Sequence, residues 1–479
     1  MSNSTQHSNS SHKRGFGASP FSSTHPLVWL IGGSTLILFI CSSVRHFLLF
    51  STAFDLGIFD QALYLLSQDL PPIPSIRGIH ILGDHAAWIF YPLALLYKVY
   101  PDVHWLFLIQ ALGLSLAALP LWALVRQAGL NHRAAVTLVL TYLLYPLVFN
   151  VNLFDFHPEV LAPVALLGAV LAARANRIGW FSLAIVFVLS LKAVLALSVA
   201  AMGFWLLVFE QKRVCGAIAL IAGMGWFLIA AEWIIPAFSG KEAAAVGRYD
   251  DLGGSPLQIA QNLVLHPAIL LTKLFTLANL QYVGLLVLPV LWGLSPHHLA
   301  PLIGAFPIVF LNLVTDYTGQ KDLVHQYSVA VMPFLMLAVL SAMAANAGWL
   351  RRQRWIVAWS LIAFLSLAKY GKLVSYFSET DSLWATREAI AAIQTQDGVL
   401  TDNQLAPQVS HRPVVQLLKP KILKTSLADV RYVLLNLDHP WSGTAELAKR
   451  AVRQLQTNPE FELSYHRDRV FLFVKKGVG

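Results

Sequence analysis

The chain has 479 residues, 56 % hydrophobic and 12 % charged, with a formal net charge of +9 and a mean hydropathy of +0.60. Soluble domains carry about 25 % charged residues, so this composition excludes a disordered chain, a coiled coil or a disulfide scaffold and marks a polytopic membrane protein. In such a protein a basic excess reports orientation in the bilayer, so it is not read as a nucleic-acid surface.

Residues 1–25 are polar and Ser-rich and read as a disordered tail. Leu27 to Val44 is the first long apolar run, an uncleaved transmembrane helix rather than a signal peptide, since no small-x-small site follows it. Further runs near 103–125, 134–151, 160–173, 178–191, 194–209, 214–237, 281–294, 298–314, 328–347 and 355–374 bring the expectation to about eleven spans. The stretches 86–100 and 263–279 are interrupted by Pro and Lys and read as helices lying on the bilayer surface. Cys41 and Cys215 both lie in apolar runs, so neither a disulfide nor a Cys-based metal site is expected.

Short connections carrying Arg126, Arg133, Arg174, Arg177, Lys212, Arg213 and Arg351 to Arg354 place the N-terminus inside by the positive-inside bias. The expected outer loops are then 51–102, 150–159, 238–280 and 315–327, in a membrane domain covering 26–378. An odd number of spans puts the C-terminus outside. From Glu379 the composition changes: 24 of the last 101 residues are charged, against 35 of the first 378, which marks a soluble domain at 379–479. Within it Leu383–Gln394 and Thr444–Leu455 read as helices, and Gly398–Thr401, Arg431–Leu437, Phe461–Tyr465 and Val470–Lys475 as strands. The fold expected is an all-α polytopic membrane protein with a small extracytoplasmic α/β domain.

Ionisable residues gather in the outer loops. The first begins Phe54-Asp55-Leu56-Gly57-Ile58-Phe59-Asp60-Gln61, in which Leu56, Phe59, Leu63 and Leu66 share one face of an amphipathic surface helix, with Asp60, Gln61 and Tyr64 elsewhere on the wheel. Asp55 stands at its start, where a carboxylate either caps the helix or serves as a general base. Asp84 and His85 precede the second surface segment; Asp84 as a cap and His85 on a backbone carbonyl is the bland alternative. Asp155, His157 and Glu159 alternate over five residues. Pro158 and Glu159 are ordinary helix-start residues, while a carboxylate–His–carboxylate group is also a candidate for a divalent cation. Lys192 interrupts an apolar stretch and either snorkels or meets a phosphate. Arg248 and Tyr249 lie in the third large outer loop, and His325 and Tyr327 in the last.

The Asp-Leu-Gly-Ile-Phe-Asp-Gln string resembles the hallmark of domain-of-unknown-function family 2079, predicted bacterial and archaeal membrane proteins. Asp84-His85, Phe154 to Glu159, Arg248-Tyr249 with Gly253-Gly254, His325 to Ser328, Thr401-Asp402, Ala406-Pro407 and Ser410-His411-Arg412 fit it in order. The family in turn resembles the GT-C glycosyltransferases, polytopic enzymes that use polyprenyl-phosphate sugars on the outer face and place a catalytic carboxylate in the first outer loop. The resemblance implies Asp55 as that carboxylate, with Asp60 in reserve. Arg248, Lys192, His325 and Tyr327 are then expected around the donor phosphate, and Gln61, Asp84 and His85 are further site candidates. The implied partners are membrane lipids, the lipid-linked donor and a glycan, lipid or protein acceptor. The chain departs from the family where Lys192-Ala193-Val194 replaces a frequent Lys-Glu-Asp. A non-catalytic scaffold with a partner-binding outer domain, or a lipid or solute transporter, are the other readings the sequence leaves open.

Overall fold

The computed structural model describes residues 25–240, 246–420 and 427–477. The expected N-terminal tail lies outside them apart from His25. The described residues build a helical membrane domain on which a five-stranded sheet domain is seated.

Each expected span falls on helix, α or 3-10 except for the π-helical Ala230–Ile234 within 214–237. Among the described residues, however, only Pro26–Phe47, His104–Gln127, His132–Leu153, Arg213–Ser239 and Gln326–Ala344 are long and apolar enough to cross a bilayer unaided. Two bent pairs, Ala268–Leu274 with Leu277–Gly293 (56°) and Gln353–Leu367 with Tyr370–Ser378 (43°), raise that number to seven if each is one span. By length and composition alone this is fewer than the about eleven spans expected, several of which rest on helices shorter than a full crossing. Ile178–Leu191 and Leu195–Val208 show why: each has 14 residues, about 21 Å of helix against ~30 Å of hydrocarbon. The chain breaks between them at Lys192, where the backbone is extended.

Leu195–Val208 and Arg213–Ile229 pack back to back through glycines. A Cβ on Gly203 would stand 2.4 Å from the Leu220 nitrogen, and one on Gly223 would stand 2.5 Å from that of Ala200. In lipid, where no hydrophobic effect drives helices together, such close backbone approach supplies the packing.

The C-terminal sheet has the order β2-β1-β3-β5-β4. β1 (Val399–Thr401), β2 (Val415–Leu417) and β3 (Tyr432–Asn436) run parallel, while β4 (Phe461–Arg467) and β5 (Val470–Lys475) add an antiparallel hairpin beside β3. Helices Leu383–Ala391 and Ala445–Thr457 cover it, as the sequence indicated. Tyr432 to Asn436 is buried throughout, as a central strand covered on both faces must be.

The surface helix of the first loop is Ile58–Ser67, entered through a π-turn at Ala53–Gly57. Leu56, Phe59 and Leu63 face the core as expected. Asp60 and Gln61 are buried as well, because the segment between β1 and β2 covers the opposite side of the helix.

The glycine seam carries a direct test. Gly223→Leu should destabilise the protein by about 1–3 kcal/mol through overpacking. Gly225→Leu, on the same helix with nothing within 4 Å of its Cβ, should leave thermal unfolding in detergent near wild type. Equal melting temperatures for the two variants would contradict the close contact.

Candidate active site

Three carboxylates from the second loop and the π-turn meet three basic groups. Asp155 pairs with Arg45 at the end of the first span, and its Oδ2 also accepts from the Thr52 hydroxyl at 2.7 Å and the Thr52 amide at 3.1 Å. Asp55 Oδ1 lies 3.0 Å from His157 Nε2. Glu159 pairs with Lys192. His157 is in extended backbone (φ −140, ψ 136), so Asp155 and His157 project to one side of the chain and both meet the first loop.

The hydrogen bonds of His157 fix its protons. Nδ1 is 3.0 Å from the Asp155 carbonyl oxygen, which can only accept, so Nδ1 donates. Nε2 faces the Asp55 carboxylate. One proton is therefore held between Nε2 and Oδ1. Burial pushes the Asp55 pKa up, but the His157 hydrogen bond and the neighbouring positive charges outweigh it and hold the carboxyl below its usual range. Burial pushes His157 down, and the Asp55 bond and charge reverse that, leaving the imidazole above its usual range. The pair rests as imidazolium and carboxylate. Asp55 Oδ2, with the Thr52 hydroxyl only at 3.5 Å, is the less engaged oxygen. The Asp55 side chain is 29 % exposed, against 3 % for that of His157, so a ligand reaches the carboxylate and not the ring.

Cations and aromatic rings continue from this pair. Phe154 stacks on His157 at 5.6 Å and meets the His325 ring edge-on at 4.7 Å. His325 Nδ1 is 2.8 Å from Asp322. Lys192 Nζ lies 6.0 Å from the Tyr327 ring centre, and the Arg248 guanidinium lies 5.0 Å from it and 4.7 Å from the Tyr317 ring. Lys192, Arg248, His325 and Tyr327, expected around a phosphate, are thus brought together. Arg248 does not spend its charge on Asp251, which pairs with Lys273 instead. Asp84 lies 3.3 Å from Arg77 and 3.5 Å from His85. Burial, with Lys192 nearby, brings His85 down to about 4 and keeps it neutral. Ala193, in place of an acid, is buried and donates its amide to the His85 carbonyl.

Two expectations change. Asp155, His157 and Glu159 do not converge as metal ligands, since each is turned to a different partner, and among the described residues no group of three His, Cys, Asp or Glu side chains gathers for a metal. Asp60 is not a second base open to substrate: it is 1 % exposed and takes donors from Tyr97 at 2.6 Å, from His411 at 3.1 Å and from Ser410. Gln61 likewise donates to the Arg412 carbonyl at 2.9 Å and to Ser75 at 3.0 Å. Sequence reasoning missed Arg45 and Thr52. Arg45 did leave a signal, as a charge at the end of an otherwise apolar span; Thr52 left none.

The sequence model of DUF2079, a predicted membrane protein, matches residues 45–472. No curated protein matches the sequence. Among solved structures, ArnT from Cupriavidus metallidurans bound to undecaprenyl phosphate aligns with a TM-score of 0.52 at 12 % identity, over 94 % of this chain and 98 % of that one. The archaeal oligosaccharyltransferase AglB from Archaeoglobus fulgidus, in complex with an inhibitory peptide and a dolichol-phosphate, aligns with a TM-score of 0.37 at 12 % identity, over 87 % and 70 %. The fold is GT-C-like.

The Asp55–His157 pair predicts a pH window. Asp55 is depressed, so its contribution to stability is present above about 3.9 and fades as pH falls through the folded value. His157 is raised, so its contribution is full below about 6.5 and fades as pH rises through the folded value. The gap in melting temperature between wild type and His157→Gln should be widest from roughly pH 4 to 6.5 and narrow on both sides. A gap independent of pH would show that the pair is not ionised.

Proposed function

The chain belongs to the DUF2079 family of predicted membrane proteins, and from that premise we propose that it is a membrane-embedded glycosyltransferase using a polyprenyl-phosphate-linked sugar donor. The observation that carries this reading is the carboxylate of Asp55, partly exposed and held by His157, joined through the Phe154 and His325 rings to the Tyr327 ring that two cations approach. A base and a phosphate site side by side at the membrane edge suit a donor whose sugar is joined to a lipid phosphate. The ArnT fold likeness, in a structure bound to undecaprenyl phosphate, supports the same kind of donor.

In this mechanism an acceptor hydroxyl gives its proton to Asp55 Oδ2. Its oxygen bonds to the anomeric carbon from the face opposite the lipid. The bond from that carbon to the phosphate oxygen breaks, and its electron pair leaves with the polyprenyl phosphate, so the configuration inverts. The added negative charge falls to Arg248, which offers two parallel donors to phosphate oxygens, and to Lys192 as a point charge. The basic short connections of the opposite face favour an extracytoplasmic site, in the plasma membrane, with the N-terminus inside.

Two experiments test this. A deletion strain should accumulate a polyprenyl-phosphate sugar by lipid mass spectrometry; the wild-type gene should clear it. Asp55→Asn should express but fail to clear it, a loss of about 10²–10⁴-fold in rate; clearance by Asp55→Asn would remove the base assignment. For orientation, with Cys41 and Cys215 replaced, a cysteine at exposed Ser442 should react with an impermeant thiol reagent in intact cells and one at exposed Arg352 should not. The reverse pattern would invert the topology.

A further inference from the structure

Asp55 lies on a turn that the C-terminal domain grips on both sides. The turn is a π-helix: the Gly57 amide donates to the Thr52 carbonyl, five residues back, at 3.1 Å, and the Ile58 amide donates to Ala53. Such turns are rare and need support from their surroundings. At its start the Ala53 amide donates to the Asn403 carbonyl at 2.8 Å. At its end Gly57 is backed by Pro407, 3.6 Å from where a Cβ would stand. One helical turn further, Asp60 is held by Ser410 and His411, and Gln61 by the Arg412 carbonyl. Ser75 then joins the loop after this helix to β2, accepting from the Val415 amide at 2.7 Å. All of these partners except Ser75 itself come from 402–415, and Asp402 shapes that segment by accepting from the Gln404 and Leu405 amides, each at 2.9 Å.

We propose that the segment 402–415 is a working part of the site, keeping the Asp55 turn in its π-register so that the carboxylate faces His157, with His411 as the positioning residue that locks it through Asp60. If the grip is released, the turn relaxes to ordinary α-helix. One residue of register is about 100° around a helix, which carries Asp55 away from the imidazole. His411 is suited to this role: it is stacked on Tyr64 at 5.1 Å and bonded to a buried carboxylate on the same helix, so the domain cannot slide without breaking both contacts. The pair is buried on the Asp60 side, where an uncompensated carboxylate is costly.

The inference rests on the reading of Asp55 as the base, but its test uses no sugar donor. The full-length protein in detergent is followed by deuterium exchange at the imidazole C2 carbon, read by peptide mass spectrometry, which gives the titration midpoint of His157. With Asp55 in place the midpoint lies above 6.5; Asp55→Asn, the reference for complete loss of the partner, should lower it by about one unit or more. His411→Ala should produce most of the same fall. His411→Gln, which keeps an N–H donor for Asp60, should restore much of the wild-type value. Ser410→Ala removes a single donor and should shift the midpoint in the same direction by less, and it decides the matter if His411→Ala does not fold. A His157 midpoint unchanged in the folded variants, with only the melting temperature lowered, would reduce the segment to a structural support and overturn the proposal. Failure of the lipid assay would leave this result standing.

Discussion

A carboxylate that loses water at the edge of a membrane has to find a cation or several donors, because an unpaired buried charge costs several kcal/mol. This chain places Asp55, Asp60, Asp155 and Glu159 in that position. Each is satisfied by a residue distant in sequence: Asp155 by Arg45, Asp55 by His157, Glu159 by Lys192 and Asp60 by His411. The pairs tie the first span, both loops, the break between two short helices and the C-terminal domain into one body. The broken helix at Lys192 follows from the same requirement. Lys192 stands in extended backbone at the break, and from there its ammonium meets Glu159.

The pairing also separates roles among chemically similar groups. Asp55 and Asp60 are five residues apart on one helical segment, yet one is open to solvent on one oxygen and the other is enclosed. The difference is what covers each. Asp60 faces the C-terminal domain, while Asp55 faces an imidazole fixed from behind by a backbone carbonyl. Arg248, by contrast, lies against the Tyr327 ring, a contact that holds a cation without neutralising it, while Lys192, near the same ring, is paired with Glu159.

Much of this was legible in the chain. The apolar runs located the helices, and the alternation of β-branched and aromatic residues located four of the five strands of the C-terminal sheet within a residue or two. β2 was not, because three residues of strand between Pro413 and Pro420 leave no periodicity to read. Loop location grouped Asp55, His157, Lys192, Arg248, His325 and Tyr327 on one side, since hydropathy reports depth. It did not assign partners, because partner choice is set by tertiary packing. Asp155, His157 and Glu159 look like a ligand set by spacing and are three halves of three different pairs. A helical wheel placed Asp60 and Gln61 off the apolar face correctly, and from that face alone no one could tell water from a covering domain.

The contact between Asp60 and Ser410 spans 350 residues of chain. Ribosomes add about 5–20 residues per second, so roughly 20–70 s separate the synthesis of the helix from that of the segment that encloses it. Throughout that interval the nascent membrane domain holds Asp60 without its enclosing donors and the Asp55 turn without its backing. Order of synthesis thereby becomes a safeguard: a product that stops before residue 402 lacks the last element of its own site, and only a chain extended past residue 415 can close it.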